Sequence, residues 1–336
     1  MSSLARPLVL SMGDPAGCPP SITAAAWTAL RDTETPPFFV IAEPDLYTAF
    51  CPVAVISDPA EAADAFSGGL PVLPLKTPLG APVRAGSPEP AHAGAVIDSI
   101  RTATAFCLSG EAAGLITNPI SKIQLYQAGF DHPGHTEFLA TLCAGGVAPP
   151  TPVMMLVGGG LKVALATIHV PLKAVPDLIS TPRLIQIARI VGDALKRDFA
   201  LSRPRLAFAG LNPHAGERGS LGREEIELIN PAAEALRQSG YHISDARPAD
   251  TVFHDALSGQ FDAVIAMTHD QGLIPVKTLD LWGGVNTTLG LPIIRTSPDH
   301  GTAYEAAAGG HCRADSLIAA IRLAGQLAVN RALAHV

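Results

Sequence analysis

Three histidines stand where short apolar runs end: Ala164-Leu-Ala-Thr-Ile-His169, Ala207-Phe-Ala-Gly-Leu-Asn-Pro-His214 and Ala263-Val-Ile-Ala-Met-Thr-His269. Runs of this kind read as buried strands, so each imidazole emerges at a strand end. In an open α/β sheet the crevice at the carboxyl ends of the strands is where ligands bind. Three neutral imidazoles converging there would hold a divalent metal such as zinc and leave coordination open for substrate oxygens. A single histidine so placed is more often a core or hydrogen-bonded residue. Three in the same setting favour a metal site, and hence an enzyme. Asp250 and Asp270 lie near these motifs and are candidates to orient ligands or relay protons.

A second set of residues suits an anion. Gly134-His135-Thr136-Glu137 precedes the apolar Phe138-Leu139-Ala140. A helix starting there presents free backbone N–H groups and its positive dipole end, to which His135 and Thr136 add donors. Ordinary capping by Thr136 explains the same pattern. Between Thr268 and Ala303, Lys277, Asn286 and Arg295 supply two cations and a neutral hydrogen-bonding group in an apolar, glycine-rich region. Arg295 follows Leu291-Pro-Ile-Ile, which argues for a buried stem and a carboxylate or phosphate partner. The bland alternative is an internal salt bridge to Asp270, Asp280 or Asp299. Gly13-Asp-Pro-Ala-Gly17 sits where a phosphate loop would but lacks the G-x-G-x-x-G spacing, and a tight strand-to-helix turn explains it equally well. Asn118 and Lys122 lie at another strand end, as ligand groups or as a solvated loop. His132, His242, His254, His311 and His335 have no comparable context.

The elements that must position these groups alternate between strand and helix, which predicts an α/β sheet with helices on both faces. Leu8–Met12 and Phe38–Ala42 read as strands around a helix over Pro20–Leu30. A helix over Ala91–Leu108 leads to a strand at Gly114–Thr117. Pro182–Phe199 is strongly periodic, with Leu184, Ile187, Ile190, Val191, Ala194 and Leu195 on one face. Helical pieces follow at Arg223–Ile229 and Ala232–Gln238, and a last helix runs from Ala314 to about Leu333. With no flexible linker in view, one two-lobed unit is expected. Its lobes comprise approximately residues 1–135 with 290–336, and residues 136–289.

Charged residues make up only 16% of the 336, so part of the neutral surface is expected to be buried in an oligomer. A net charge of −7 argues against a nucleic-acid partner. Five widely spaced cysteines without a C-x-x-C pair form neither a disulfide framework nor a structural zinc site, and point to a reducing cytoplasm. The first residues are too few for a signal peptide before the first predicted strand. The uncharged stretch Phe138–Leu161 holds three prolines and five glycines, which excludes a continuous membrane-spanning helix.

Taken together, the motifs GDPAG (13–17), GHTEFLA (134–140), ATIHVPL (166–172), LNPHAGERGSLGREE (211–225), PADT (248–251), HDQG (269–272) and GVNTTLGLPIIRTSPDHGTA (284–303) resemble the 4-hydroxythreonine-4-phosphate dehydrogenases of vitamin B6 biosynthesis. The resemblance spans essentially the whole chain. It implies the two-lobed fold of isocitrate and isopropylmalate dehydrogenases, with a central cleft. It implies a divalent metal (zinc, magnesium or cobalt) on His169, His214 and His269, and a phosphorylated hydroxy acid on His135, Thr136, Lys277, Asn286 and Arg295. NAD, or NADP, is expected at His300-Gly301-Thr302-Ala303. A homodimer is expected, with active sites completed across the interface and His169 serving the neighbouring subunit. The implied reaction oxidises and decarboxylates 4-(phosphooxy)-L-threonine to 3-amino-2-oxopropyl phosphate. Alternatives are a dehydrogenase for D-erythronate or D-threonate 4-phosphate, and a non-catalytic metal- or ligand-binding homologue. The chain departs from the family's pattern at Cys18-Pro19-Pro20-Ser21, where isoleucine, glycine, proline and glutamate are usual.

Overall fold

The computed structural model describes residues 6–132 and 134–334. The first five residues and His335 lie outside the described set. The strands are β1 (Leu8–Ser11), β2 (Phe38–Ala42), β3 (Val53–Val55), β4 (Leu70–Pro74), β5 (Leu115–Ile116), β6 (Val153–Gly158), β7 (Leu161–Leu165), β8 (Arg205–Ala209), β9 (His242–Arg247), β10 (Ala263–Ala266), β11 (Val285–Leu289) and β12 (Arg295–Pro298). The helices are α1 (Pro19–Leu30), α2 (Ala62–Ala65), α3 (Ala93–Ser109), α4 (Lys122–Gln127), α5 (His135–Leu142), α6 (Val175–Leu178), α7 (Thr181–Arg197), α8 (Asn230–Gln238), α9 (Val252–Leu257), α10 (His269–Leu279), α11 (Tyr304–Gly309) and α12 (Asp315–Ala334). They fall into two compact units, residues 6–152 with 291–332, and residues 153–290 with 333 and 334.

In the first unit the strands run β3-β4-β2-β1-β5-β12, all parallel. Sheets of this kind are covered on both faces, so their strands are apolar throughout rather than alternating. Leu8, Val9, Leu10, Phe38, Phe39 and Val40 are accordingly all buried. Helix α1 begins with Pro19 and Pro20, whose fixed φ suits a first turn. It is tied down by Trp27, whose indole Nε1 donates to the Phe66 carbonyl at 2.9 Å. The chain first crosses between units at residues 152 and 153, later than the sequence suggests, because α5 packs on α3 and buries Phe138 and Leu139 in the first unit. The chain returns to the first unit at residues 290 and 291.

The second unit has the order β11-β6-β7-β10-β8-β9, with β6 antiparallel to both neighbours and the remaining pairs parallel. Strands β6 and β7 form a hairpin through Gly159 and Gly160, both at positive φ (57° and 85°), the twist a two-residue hairpin favours. Helix α7 buries Leu184, Ile187, Val191, Ala194 and Leu195 as its period requires, with Ile190 half-buried. Residues 225–229 form a π-type turn leading into α8 rather than an α-helix, and the short α11 precedes the last helix. The stretch Phe138–Leu161 is divided among α5, a loop, β6 and the hairpin turn. Helix α12 is long and apolar enough to cross a membrane. Its Leu317, Ala320, Ile321, Ala324 and Leu327 are buried, and Thr296 Oγ1 donates to its Ala320 carbonyl, so it is a core helix.

Helix α10 lies close on the sheet because Gly272 faces it. A Cβ there would sit 2.5 Å from Leu165 Cδ2 and 3.1 Å from Val163 Cγ1. Gly272→Val should force the helix outward, and overpacking of this kind costs about 1–3 kcal/mol. A lowered thermal midpoint is expected, and an unchanged one would show that α10 adjusts freely.

Candidate functional site

The three histidines arise from neighbouring strands. Strands β7, β10 and β8 are adjacent and parallel, so their carboxyl ends lie at one edge of the second unit's sheet. His169 follows β7, His214 follows β8 and His269 opens α10 directly after β10. The rings of His169 and His269 are 5.3 Å apart, inclined at 46°. Two imidazoles on one tetrahedral ion at ordinary Zn–N distances have ring centres about 5 Å apart, so this pair fits a shared cation. Asp270 Oδ1 lies 2.8 Å from His269 Nδ1, which leaves Nε2 as the outward ligand atom. Among the described residues of a single chain, no group of three His, Cys, Asp or Glu is arranged to hold a metal. One chain therefore presents a braced imidazole pair, with His214 displaced from it.

A run of hydrogen bonds fixes the strand ends beneath these rings. Thr167 Oγ1 donates to the Met267 carbonyl at 2.6 Å, joining the ends of β7 and β10. Gln271 accepts from Met267 N–H through Oε1 at 2.7 Å and donates from Nε2 to the Gly210 carbonyl at 2.7 Å, joining β10 to the end of β8. Thr268 caps α10 through its hydroxyl, which accepts from Gln271 N–H. The HDQG motif thus supplies a ligand, its carboxylate partner and a strand clamp. The sequence reading did not single out Thr167 or Gln271, although a polar residue next to a strand end is the signal for both.

His214 lies in an exposed left-handed turn, with φ of 52°, 51°, 77°, 43° and 55° from His214 to Arg218. The turn is held from one side by buried Glu225, which accepts from Asn212 N–H at 2.7 Å and Asn212 Nδ2 at 3.0 Å. Gly216 packs on the same carboxylate, and a Cβ there would lie 2.6 Å from Glu225 Oε2. Asp250 occupies the exposed turn after β9, at the same edge of the sheet. Lys277 lies eight residues beyond His269 on α10, roughly 12 Å along its axis at 1.5 Å per residue. Asn286 lies within β11, opposite Leu156, and its Oδ1 is buried with no hydrogen-bond partner.

The remaining anion-binding candidates belong to the first unit. Arg295, the first residue of β12, is buried and donates from Nε and Nη2 to Thr117 Oγ1 at 3.1 and 2.6 Å. Burial lowers its pKa to about 10, which still leaves it a cation. His135 and half-buried Thr136 open α5, whose N-cap is Gly134 and not Thr136. The Nε2 of His135 is buried without a partner. Its pKa is held well below 6.5, first by burial and then by the charges of Arg295 and Lys122. Lys122 also approaches Gly134, where a Cβ would lie 3.3 Å from its Nζ. A buried guanidinium, a neutral imidazole with an unused nitrogen and a lysine thus surround one helix start. That arrangement suits a phosphate or carboxylate.

The Gly13–Gly17 turn is no phosphate cradle, because its donors are spent internally. Asp14 N–H donates to Pro119 O, Ala16 N–H to Asp14 Oδ1, Gly17 N–H to Asp14 O and Cys18 N–H to Thr302 O. Asp14 Oδ2 also accepts from the Tyr304 hydroxyl at 2.6 Å, which ties this turn to the segment His300–Ala303. His300 and Gly301 are exposed, Thr302 is half-buried and Ala303 has φ 49°.

Parallel sheets with imidazoles at the strand ends and a buried arginine at a helix start define an α/β enzyme. The model of the family described as pyridoxal phosphate biosynthetic protein PdxA matches residues 36–324. A 4-hydroxythreonine-4-phosphate dehydrogenase of Caulobacter vibrioides is 50% identical over 97% of this chain and 98% of its own, and one of Maricaulis maris 49% over the same shares. The crystal structure of the Klebsiella pneumoniae 4-hydroxythreonine-4-phosphate dehydrogenase superposes with a TM-score of 0.85 at 36% identity, covering 96% of this chain and 100% of that one. The chain belongs to the PdxA family. The resemblance carried by the motifs is borne out, together with the α/β fold and the reading as a dehydrogenase of vitamin B6 biosynthesis.

Because the folded pKa of His135 is depressed, the unfolded chain binds a proton that the folded one does not once pH falls through 6.5. Folding stability should therefore decline below that pH, and His135→Asn should lessen the decline. Chemical denaturation at pH 7.5 and 5.5 tests this. An equal loss in both proteins would remove His135 as its source.

Proposed function

We propose that the chain catalyses metal-dependent, NAD-linked oxidation of 4-(phosphooxy)-L-threonine at the hydroxyl-bearing carbon. The resulting β-keto acid loses carbon dioxide to give 3-amino-2-oxopropyl phosphate. The observation that carries the reading is the His169–His269 pair, its rings 5.3 Å apart and its Asp270 brace in place. His169, His214 and His269 hold the cation, and an all-imidazole set favours zinc or cobalt over magnesium. When bound, the cation supplies Lewis-acid polarisation of substrate oxygen, and NAD or NADP supplies the hydride acceptor.

The protein's own residues orient and neutralise the substrate. Arg295 and Lys122 compensate its anionic groups, and His135 enters the site uncharged and offers Nε2. Thr136 adds a hydroxyl at the start of α5. Lys277 and Asn286 furnish a further cation and an amide, the amide with an unused buried oxygen. Asp270 keeps the His269 ring in one orientation, and Asp250 stands at the same sheet edge as a proton-relay group. His300–Ala303 form the segment over which the cofactor binds. The five cysteines are free thiols, in keeping with a cytoplasmic enzyme.

The active unit is a homodimer with sites completed across the interface. Two observations support this: one chain offers two clustered imidazoles, and exposed Leu172, Ile274, Leu279, Leu281 and Trp282 lie in the segments that follow His169 and His269. His169→Ala, His214→Ala and His269→Ala should each abolish NADH release, lower bound metal and keep the circular dichroism spectrum. Mixed His169→Ala and His214→Ala subunits should regain activity in hybrid dimers. No recovery despite verified exchange would place the whole site in one chain.

Arg295 reads an anionic group of the substrate. A charge-assisted hydrogen bond contributes about 1.5–3 kcal/mol, so Arg295→Ala should lower kcat/KM roughly ten- to over a hundredfold. Arg295→Lys should restore little of it, since an ammonium lacks the planar fork. Steady-state kinetics on the phosphorylated substrate measures both, and an active Arg295→Ala enzyme would exclude the role.

A further inference from the structure

Glu225, the first residue of the π-type turn before α8, is a carboxylate only 1% exposed. Among the described residues no lysine or arginine pairs with it, and its hydrogen bonds come from one residue. A charge buried in this way is expensive, and an apolar side chain would fill the same space at lower cost. What the carboxylate gains is direction. Its Oε1 accepts from the N–H of Asn212 at 2.7 Å and its Oε2 from Asn212 Nδ2 at 3.0 Å, two residues before His214. Glu224 Oε2 accepts from the same amide nitrogen at 2.7 Å, so both of its N–H bonds are used. Gly222, at φ 135°, lies against that amide and leaves no room for a Cβ.

The turn that carries His214 does not hold its shape by itself. Four of its residues other than glycine lie in left-handed backbone, at a cost of roughly 1–2 kcal/mol each. Such strain persists only where the surroundings over-determine it. Two contacts do so here. Gly216 packs against Glu225 Oε2, and Ala215 lies against Gly210, just past β8, where a Cβ on Gly210 would sit 2.9 Å from Ala215 Cα. Gly210 is itself fixed, because its N–H donates to the Arg247 carbonyl at 2.7 Å and its carbonyl accepts from Gln271 Nε2. Gln271 belongs to the helix that His269 opens. The His214 turn is thus held by a carboxylate and by a backbone segment tied to α10.

Resting on the reading of His214 as a metal ligand, we infer that Glu225 is a positioning residue for the metal site. It seats the left-handed turn on Gly210 and thereby sets the place of His214 relative to His269. It acts through Asn212 and Gly216 and ligates nothing itself. Glu225→Gln keeps the volume and one acceptor, but it turns an N–H group toward a donor of Asn212, which unseats the turn without emptying the space.

Zn²⁺ and Co²⁺ binding by the full-length protein, with hydrogen exchange of residues 211–222 in the metal-free protein, tests this without any turnover. Glu225→Gln should bind Zn²⁺ about ten- to a hundredfold more weakly in chelator competition, the usual effect of losing a group behind a ligand. It should exchange faster across 211–222 and give a Co²⁺ absorption spectrum moved toward that of His214→Ala. Gly210→Ala, which displaces the turn without altering the carboxylate, should weaken Zn²⁺ likewise, and it decides the matter if Glu225→Gln does not fold. A carboxylate that only stabilised the fold would lower the thermal midpoint and leave the Co²⁺ spectrum of the folded variant as it was. An unchanged spectrum or unchanged exchange in Glu225→Gln, or undiminished Zn²⁺ affinity in either variant, would each overturn the inference. If the unaltered protein bound no Zn²⁺ while Glu225→Gln still loosened the turn, the metal reading would fall and Glu225 would stand as the residue that places His214.

Discussion

The second unit depends on the hydrogen-bond relay that crosses its strand ends. Thr167, Met267, Gln271 and Gly210 link β7 to β10 and β10 to β8 just below the level at which the imidazoles emerge. Parallel neighbours are only about 4.8 Å apart, so whatever fixes their ends fixes the spacing of the groups they carry. Backbone pairing alone ends with the strands. The relay extends order past that limit by satisfying carbonyl and N–H groups that would otherwise be left without partners. Gln271 does this from the first turn of α10, so the helix and the sheet edge are held by one side chain.

In the first unit the corresponding constraint is electrostatic. Burial is the first influence on His135, and the charges of Arg295 and Lys122 reinforce it by disfavouring a third positive charge. The two influences act in the same direction, which keeps the imidazole neutral beside a guanidinium. A neutral imidazole can donate from one nitrogen and accept at the other, an option closed to its protonated form. The cluster is poised for an anion without relying on histidine for charge.

Much of this was legible in the sequence for a simple reason. The apolar runs that precede His169, His214 and His269 are strands in a fully covered sheet, and their composition announces them without any need for alternation. The period of α7 and the proline start of α1 were equally plain, as was the helix beginning at His135. What could not be read was which strands become neighbours, so the 5.3 Å pairing of His169 with His269 was not evident. The turn at Gly13–Gly17 remained ambiguous because its sequence shows donors but not where they point. Thr302 and Pro119, which take up two of those donors, are far away along the chain. The position of α5 in the first unit was missed for the same reason, since its packing against α3 is a tertiary choice.

The left-handed turn that carries His214 alters how that segment tolerates change. Left-handed backbone costs an L-residue roughly 1–2 kcal/mol, and His214, Ala215, Glu217 and Arg218 all adopt it. Glycine normally weakens a chain through the entropy of its unfolded state, by about 0.4–1 kcal/mol against alanine. At Glu217 and Arg218 that ordinary penalty is offset by relief of the backbone, which inverts the usual rule that glycine is the worst replacement. Glycine is therefore the replacement those two positions accept most readily, while Gly216, pressed against Glu225, has no room to change.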